Sequence, residues 1–421
     1  FTSADGVQEP DVYALLPPLW LSHAGLAPRM APFASTVAEA RRDPNLAPVT
    51  DPAAFYDQAT INFFYTTINQ DDPRVTAANQ NLYKTEYDSW LYDRAGTFFH
   101  GYLRSGFFVQ LREAVRAADF YRRHLYLPGA PGVASRNVGM FDMKVPDGQS
   151  WPGGNGAMYS YVAPLALSYW LTGDDSNLSY LPLVCDAETQ GEDTRWSATA
   201  QGWTERHTAF RLLDNVIAYE VTGEKRYADE VKKGVGDFVW HQDGAGGAFP
   251  AGSVVDGALW HDGAQHGDGT GTIASPWMSA LTATAMVRAY LVSEDARIPG
   301  FLLRLGRFEK VASHTWPATE HQYDGQGALR FPDYLTAKNG TAAIHNTDDT
   351  EHAMDVAATL AWAGYFSELA GTPDATLRAA ASDLYKTYQA GVAYYTRPAG
   401  PASGKAAYRV APDRKYGWMY H

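Results

Sequence analysis

The residues best suited to chemistry stand at the starts of apolar segments with helical periodicity. In the richest group Glu351, His352 and Asp355 follow Asp348 at spacings of three, four and seven positions. On a single helix these four side chains share one face. Carboxylates this close repel each other, so the pKa of one of them should rise. The group that stays protonated could then act as a general acid beside an ionised carboxylate that acts as base. A helix-capping box between Asp348 and Glu351 is the alternative, but it requires neither Asp355 nor Asp349.

A second group is the run Trp203-Thr204-Glu205-Arg206-His207. Thr204 is a good helix N-cap, and Glu205 then lies in the first turn. The ring of Trp203 offers a face on which a sugar can stack. We predict Glu205 and His207 as catalytic residues, with Trp203 and Arg206 binding substrate. An ordinary capped helix start with an ion pair is the competing interpretation.

Two further groups precede predicted helices. Asn155 follows a glycine-rich turn and is suited to neutralise a substrate carboxylate, while Tyr159 or Tyr161 could act as a base. Tyr87 and Trp90 could line one face of a sugar site. A tight turn before a buried helix explains the first group equally well, and local surface polarity explains the second.

Two long segments, 243–273 and 315–346, separate the later helices, and such loops are usually functional or disordered. The second carries Trp316 and Tyr323, which we predict at the rim of a sugar cleft, with short strands. The first carries side chains that suit a divalent metal, His261, Asp262, His266 and Asp268. Their spacing matches no established metal motif, so neither a metal nor a cofactor is predicted. A solvated surface loop remains the alternative for both segments.

The elements that must position these residues are predicted helical hairpins. Five segments have a 3.6-residue period, and each is followed by a second helix. Glycines that can adopt the left-handed conformation end three of the first helices, at Gly173, Gly223 and Gly371. The first helices are the more apolar, so we expect them inside, with the charged second helices facing water. The predicted pairs are 88–105 with 106–127, 156–171 with 177–189, 204–221 with 225–241, 276–292 with 298–313, and 350–369 with 373–396.

The repeated hairpin ends, Leu-Thr-Gly-Asp at 171–174 and Val-Thr-Gly-Glu at 221–224, carry a resemblance. Over residues 88–396 the pattern resembles the six-hairpin glycosidase superfamily. The resemblance implies an all-α fold, an (α/α) toroid of about six hairpins, with its cleft at the N-terminal ends of the inner helices. That superfamily includes glycoside hydrolases, and similar toroids occur in polysaccharide lyases and sugar epimerases. We predict one domain over 76–421, wrapped by a Pro-rich arm over 1–75.

The composition of the chain excludes several classes of binding partner and site. The chain has 421 residues and a net charge of −13, which argues against nucleic acid or an anionic membrane as the main partner. Its one cysteine, Cys185, excludes an intramolecular disulfide and a cysteine-based zinc site. No apolar run is long enough for membrane insertion. The start at Phe1, without Met, suggests a processed protein that is secreted or periplasmic.

These observations predict a carbohydrate-active enzyme with a carbohydrate as its partner. The preferred function is a glycoside hydrolase in which Glu205 works across a cleft from Asp349 or Glu351. One alternative is a polysaccharide lyase with a Tyr or His base acting on a uronic acid. Another is a sugar epimerase using His207 and His352, and a non-catalytic sugar-binding protein is the last.

Overall fold

A computed structural model describes residues 10, 12–26, 93–106, 108–142, 160–191, 204–244, 256–263, 271–323, 325–338, 344–345, 347 and 350–396. The chain divides into two compact units, Phe1–Ala187 with Val392–His421, and Glu188–Gly391. Most of the predicted N-terminal arm lies outside the described residues, so the arm stays a prediction.

The first unit contains the first two predicted hairpins. Helices α2 (Arg94–Ser105) and α3 (Phe108–Arg123) form one pair, and α4 (Ala163–Thr172) is followed by α5 (Leu181–Gly191). A short helix, α1 (Pro18–His23), lies against α2. Gly173 ends α4 in the left-handed conformation, with φ of 73°, as its position after the last periodic residue predicts.

The second unit contains the other three hairpins. They are α6 (Glu205–Thr222) with α7 (Lys225–Gln242), α8 (Pro276–Ser293) with α9 (Arg297–Val311), and α10 (Glu351–Leu369) with α11 (Ala375–Thr396). The first helices pack in series, α6 on α8 and α8 on α10. Twelve residues of α6 and twelve of α8 are buried, whereas the charged helix α7 buries one face. The predicted division between apolar first helices and amphipathic second helices is confirmed in these hairpins.

Short strands occupy the two long segments between helices. They are β1 (His261–Asp262), β2 (Thr272–Ala274), β3 (Ser313–Trp316), β4 (Leu329–Ala337) and β5 (Ile344–His345). The sheet is antiparallel in the order β1-β2-β4-β3, and β5 also pairs with β4. In β4 the odd-numbered residues are all buried, which is the period of two expected for a strand with one covered face. The prediction of short strands is confirmed.

Helix α2 begins at a buried acidic cap. Asp93 adopts the left-handed conformation, with φ of 48°, and its side chain accepts a hydrogen bond from the Gly96 amide at 2.9 Å. Burial raises the pKa of Asp93 to about 7, and the hydrogen bond from Gly96 offsets only part of that rise. Between pH 3.8 and 7 the folded state therefore holds a proton that the unfolded state has released. Stability falls as pH rises through this window.

We expect Asp93→Asn to remove this pH dependence. Asn tolerates the left-handed conformation and its side-chain oxygen still accepts from the Gly96 amide. Relative to the original protein, the variant should gain stability from pH 4 to pH 7, by at most about 4 kcal/mol, and nothing further above. Urea unfolding at pH 4, 5.5, 7 and 8.5 measures the difference. Asp175→Asn, at an exposed carboxyl, serves as control, and a pH-independent difference for Asp93→Asn would contradict the assignment.

Candidate functional site

The first turns of α6, α8 and α10 lie side by side in the second unit. Thr204 caps α6 by accepting a hydrogen bond from the His207 amide at 3.4 Å, which confirms the predicted cap. The Ser275 amide, just before α8, donates to Oε1 of Glu205 at 3.0 Å. The start of α10 joins them through His352, which packs on a ring from α8.

An aromatic layer forms where these helix starts meet, and we call Arg206, Trp277, Tyr334 and His352 the Trp277 cluster. The imidazole of His352 stacks on the indole of Trp277, with ring centroids 4.7 Å apart and planes 10° from parallel. The guanidinium of Arg206 lies 5.3 Å from the Trp277 ring, within range of a cation–π interaction. Tyr334 of β4 is 6.1 Å from Trp277 and 6.3 Å from His352. The layer combines aromatic rings with a cation and an imidazole.

A carboxylate orients the imidazole in this cluster. His352 Nδ1 lies 3.1 Å from Oδ2 of Asp355, one turn further along α10. A carboxylate at Nδ1 favours the tautomer that carries its proton there, which leaves Nε2 as the nitrogen able to accept a proton. The side chain of Asp355 is 15% exposed and that of His352 is 2% exposed. The pair thus has the arrangement of a general base with its orienting group.

A buried ionisable cluster lies beneath the first turn of α6. Glu205 is fully buried, and its Oε2 is 3.3 Å from Nδ1 of His261. Burial by itself would lower the pKa of His261, but the charge and hydrogen bond of Glu205 outweigh it and raise that pKa. The pKa of nearby His241 falls to about 3, first because it is buried and then because His261 repels a second positive charge. Glu205 therefore pairs with His261, and His241 stays neutral.

Glu309 of α9 adds a neutral acid to this region. Its side chain is fully buried, and burial, followed by the charges of Glu205, Asp333 and Asp355, raises its pKa well above the usual range. Neither of its side-chain oxygens has a hydrogen-bond partner among the described residues. Glu309 is therefore protonated while the nearby Glu205 is ionised. Acid–base pairs of carboxyl groups have these two protonation states.

The structure brings four predicted residues into this region, Glu205, Arg206, His352 and Asp355, with His207 in the same first turn of α6. Helix α10 begins at Glu351. The pairing of His352 with Asp355 on one face is confirmed. Both oxygens of Glu205 are engaged and none of its surface is exposed, so its predicted direct role in hydrolysis receives no support from its placement.

The other predicted residues belong to the first unit, to the strand segments of the second unit, or to the part of the chain that is not described. Tyr161, in the first unit, is 5% exposed, and its amide donates to the Tyr121 hydroxyl. Tyr323 is 2% exposed and stacks on Phe331, so its ring is covered rather than at a rim. Trp316 is half-buried in β3. Outside the described residues lie Tyr87, Trp90, Asn155, Tyr159, Trp203, Asp348, Asp349 and the side chain of Glu351.

Sequence reasoning missed Trp277, Tyr334, His241 and Glu309. Glu309 follows Leu305 by four positions and Phe301 by eight, so it lies on the buried stripe of α9, and a carboxyl there was a detectable signal. Trp277 follows Pro276 at the start of an apolar helix, the same position that singled out the other candidates. Nothing local marks Tyr334, since its role depends on how β4 packs against α8 and α10.

Comparison with known proteins supports the fold. No family model and no curated protein matches the sequence. A solved structure of a sugar epimerase from a ruminal bacterium is similar, with a TM-score of 0.50 and 15% identity over 79% of this chain and 86% of that one. The two chains share a fold. The predicted class, an all-α toroid fold of helical hairpins with few short strands, is confirmed. No helix in the described part of the chain is long and apolar enough to cross a bilayer.

Proposed function

We propose that this protein is a carbohydrate-processing enzyme and that it epimerises a sugar by moving a proton at carbon. The observation that carries the proposal is the imidazole of His352, oriented by Asp355 and stacked on Trp277 at the start of α10. Removal of a proton from a carbon beside a carbonyl requires a positioned base of this kind. The shared fold with a sugar epimerase supports the same reaction class.

The cluster also offers the contacts that such a substrate needs. Tyr334 is half-buried and can offer its ring to the C–H face of a sugar, whereas Trp277 is buried and supports the imidazole from beneath. The Arg206 guanidinium can hold an oxygen that gains negative charge as the proton leaves. Because His352 is 2% exposed, a substrate reaches Nε2 only if a neighbour moves. Tyr334 is half-buried and packs beside the imidazole. Among the described residues, its side chain is therefore a candidate for the group that moves.

Glycoside hydrolysis remains a second candidate because of one observation. The neutral acid Glu309 and the ion-paired Glu205 hold opposite protonation states close to the same helix starts. Acid–base hydrolysis uses two carboxyl groups in those two states. Neither side chain is exposed, however, so hydrolysis would require a larger rearrangement than proton transfer at His352.

Incubation with sugars in D₂O distinguishes these reactions. Reducing mono- and disaccharides are followed by ¹H NMR, and uronic-acid polysaccharides by ultraviolet absorbance. Epimerisation predicts loss of the proton signal at the carbon next to the carbonyl, together with a new epimer and no new reducing ends. New reducing ends without deuterium uptake would favour the hydrolase, and an absorbing unsaturated product would favour the lyase. Binding without turnover across the panel would leave a sugar-binding protein and overturn the enzyme proposal.

A further inference from the structure

A trio of side chains with the ligand types of a metal site lies on the sheet. It consists of His314 from β3, Asp333 from β4 and His345 from β5, and we call it the β-face trio. One ligand atom from each lies within 4.8 Å of the other two. His345 Nδ1 is 2.6 Å from Oδ1 of Asp333, and His314 Nε2 is 3.3 Å from its Oδ2. One carboxylate thus holds two imidazoles whose ring centroids are 5.2 Å apart.

Strand register explains why three residues distant in sequence converge. Asp333 is the direct cross-strand partner of His345, so the two side chains share a face of the sheet. His314 is the partner of Phe331, which precedes Asp333 by two positions and lies on that same face. The trio therefore lies on paired residues of three strands, with an irregular register between β4 and β5 at this point.

The carboxylate of the trio is buried and its two imidazoles are accessible, which suits a metal ion. The Asp333 side chain is 4% exposed and its Oδ2 also accepts from the Thr336 hydroxyl at 3.0 Å, which fixes the carboxylate. The two imidazoles are 45% and 42% exposed at their side chains. An anchored carboxylate below two accessible imidazoles resembles the protein half of a metal site that keeps positions open for water or another ligand.

We propose that the β-face trio binds a divalent transition metal ion, with Zn²⁺ as the probe. Two imidazole nitrogens and one carboxylate oxygen are ligands that Zn²⁺, Co²⁺ and Fe²⁺ accept, and three such ligands leave at least one coordination position open. On binding, the metal replaces the two hydrogen bonds between the carboxylate and the imidazoles. The hydroxyl of Thr336 remains as the outer contact that orients Asp333.

The experiment measures metal binding by the full chain after treatment with EDTA and dialysis. Calorimetric titration with Zn²⁺ should show one site that is lost in His314→Ala/His345→Ala, and each single variant should weaken binding by about 100-fold or more, because even outer-shell changes cost about 10–100-fold. Titration with Co²⁺ should produce visible ligand-field bands that the double variant lacks. Zn²⁺ should also raise the melting temperature of the original protein and not that of the double variant.

Two controls separate this site from other histidines. His23→Ala, at an exposed position on α1, should bind Zn²⁺ as the original protein does. His266→Ala, which lies outside the described residues, should also leave binding unchanged. Equal binding by the double variant, or binding lost on replacing His266, would place the metal elsewhere and overturn the proposal. Absence of Zn²⁺ binding by the original protein would show that the trio is only a hydrogen-bonded contact between strands.

Discussion

His352→Gln is expected to lower sugar proton exchange by about 10²–10⁴-fold without unfolding the protein. Glutamine retains a polar group of similar size near Asp355, but it cannot take up a proton at neutral pH. The change weakens the stack on Trp277 and leaves Thr350, the residue before the helix, as it is. Deuterium uptake measured by NMR, with circular dichroism as a check on folding, tests the expectation.

Asp355→Asn provides the matched variant for this experiment. The amide can still contact His352 Nδ1 but no longer stabilises a positive imidazolium, so activity should fall by less than in His352→Gln. Because the neutral imidazole is then favoured, the loss of activity on acidification should shift to lower pH. Glu220→Gln, on a surface ion pair with Arg288, should leave exchange unchanged. Activity in His352→Gln equal to that of the original protein would remove this histidine from the mechanism and, with it, the basis of the epimerase proposal.

Glu205→Ala is expected to destabilise the protein by about 3–5 kcal/mol, the usual cost of removing one partner from a buried ion pair. The change leaves the Ser275 amide and the His261 imidazole without the carboxylate that they share at the helix start. Thermal and urea unfolding at neutral pH measure the loss.

Two variants make the stability result specific. Glu220→Ala removes a carboxylate from the same helix, but its side chain is 22% exposed, and surface pairs contribute only about 0–1 kcal/mol. Glu205→Gln keeps an oxygen for the Ser275 amide and should lose less than Glu205→Ala. If Glu205→Ala were as stable as Glu220→Ala, the buried pair with His261 would have no structural role. If Glu205→Gln kept its stability and lost glycoside hydrolysis, the direct catalytic role first predicted for Glu205 would be restored.

The hairpins could be predicted from sequence because their signals are local. Apolar residues recur every 3.6 positions, and Gly173 and Gly223 stand where the helices α4 and α6 end in the left-handed conformation. Thr204 caps α6 as its side chain and position predict. The contact of His352 with Asp355 is equally local, since residues three apart on a helix are neighbours. Each of these features depends on backbone geometry within a few residues.

The composition of the site was decided by tertiary structure. The amide of Ser275 and the carboxylate of Glu205 are 70 positions apart, and only the packing of α6 on α8 brings them together. Trp277 meets His352 because α8 packs on α10, and the β-face trio depends on the register of three strands. Periodicity shows which face of an element is buried and leaves open which element covers it. The sequence by itself therefore determined the helices and their ends, whereas long-range packing and strand register decided which polar side chains meet.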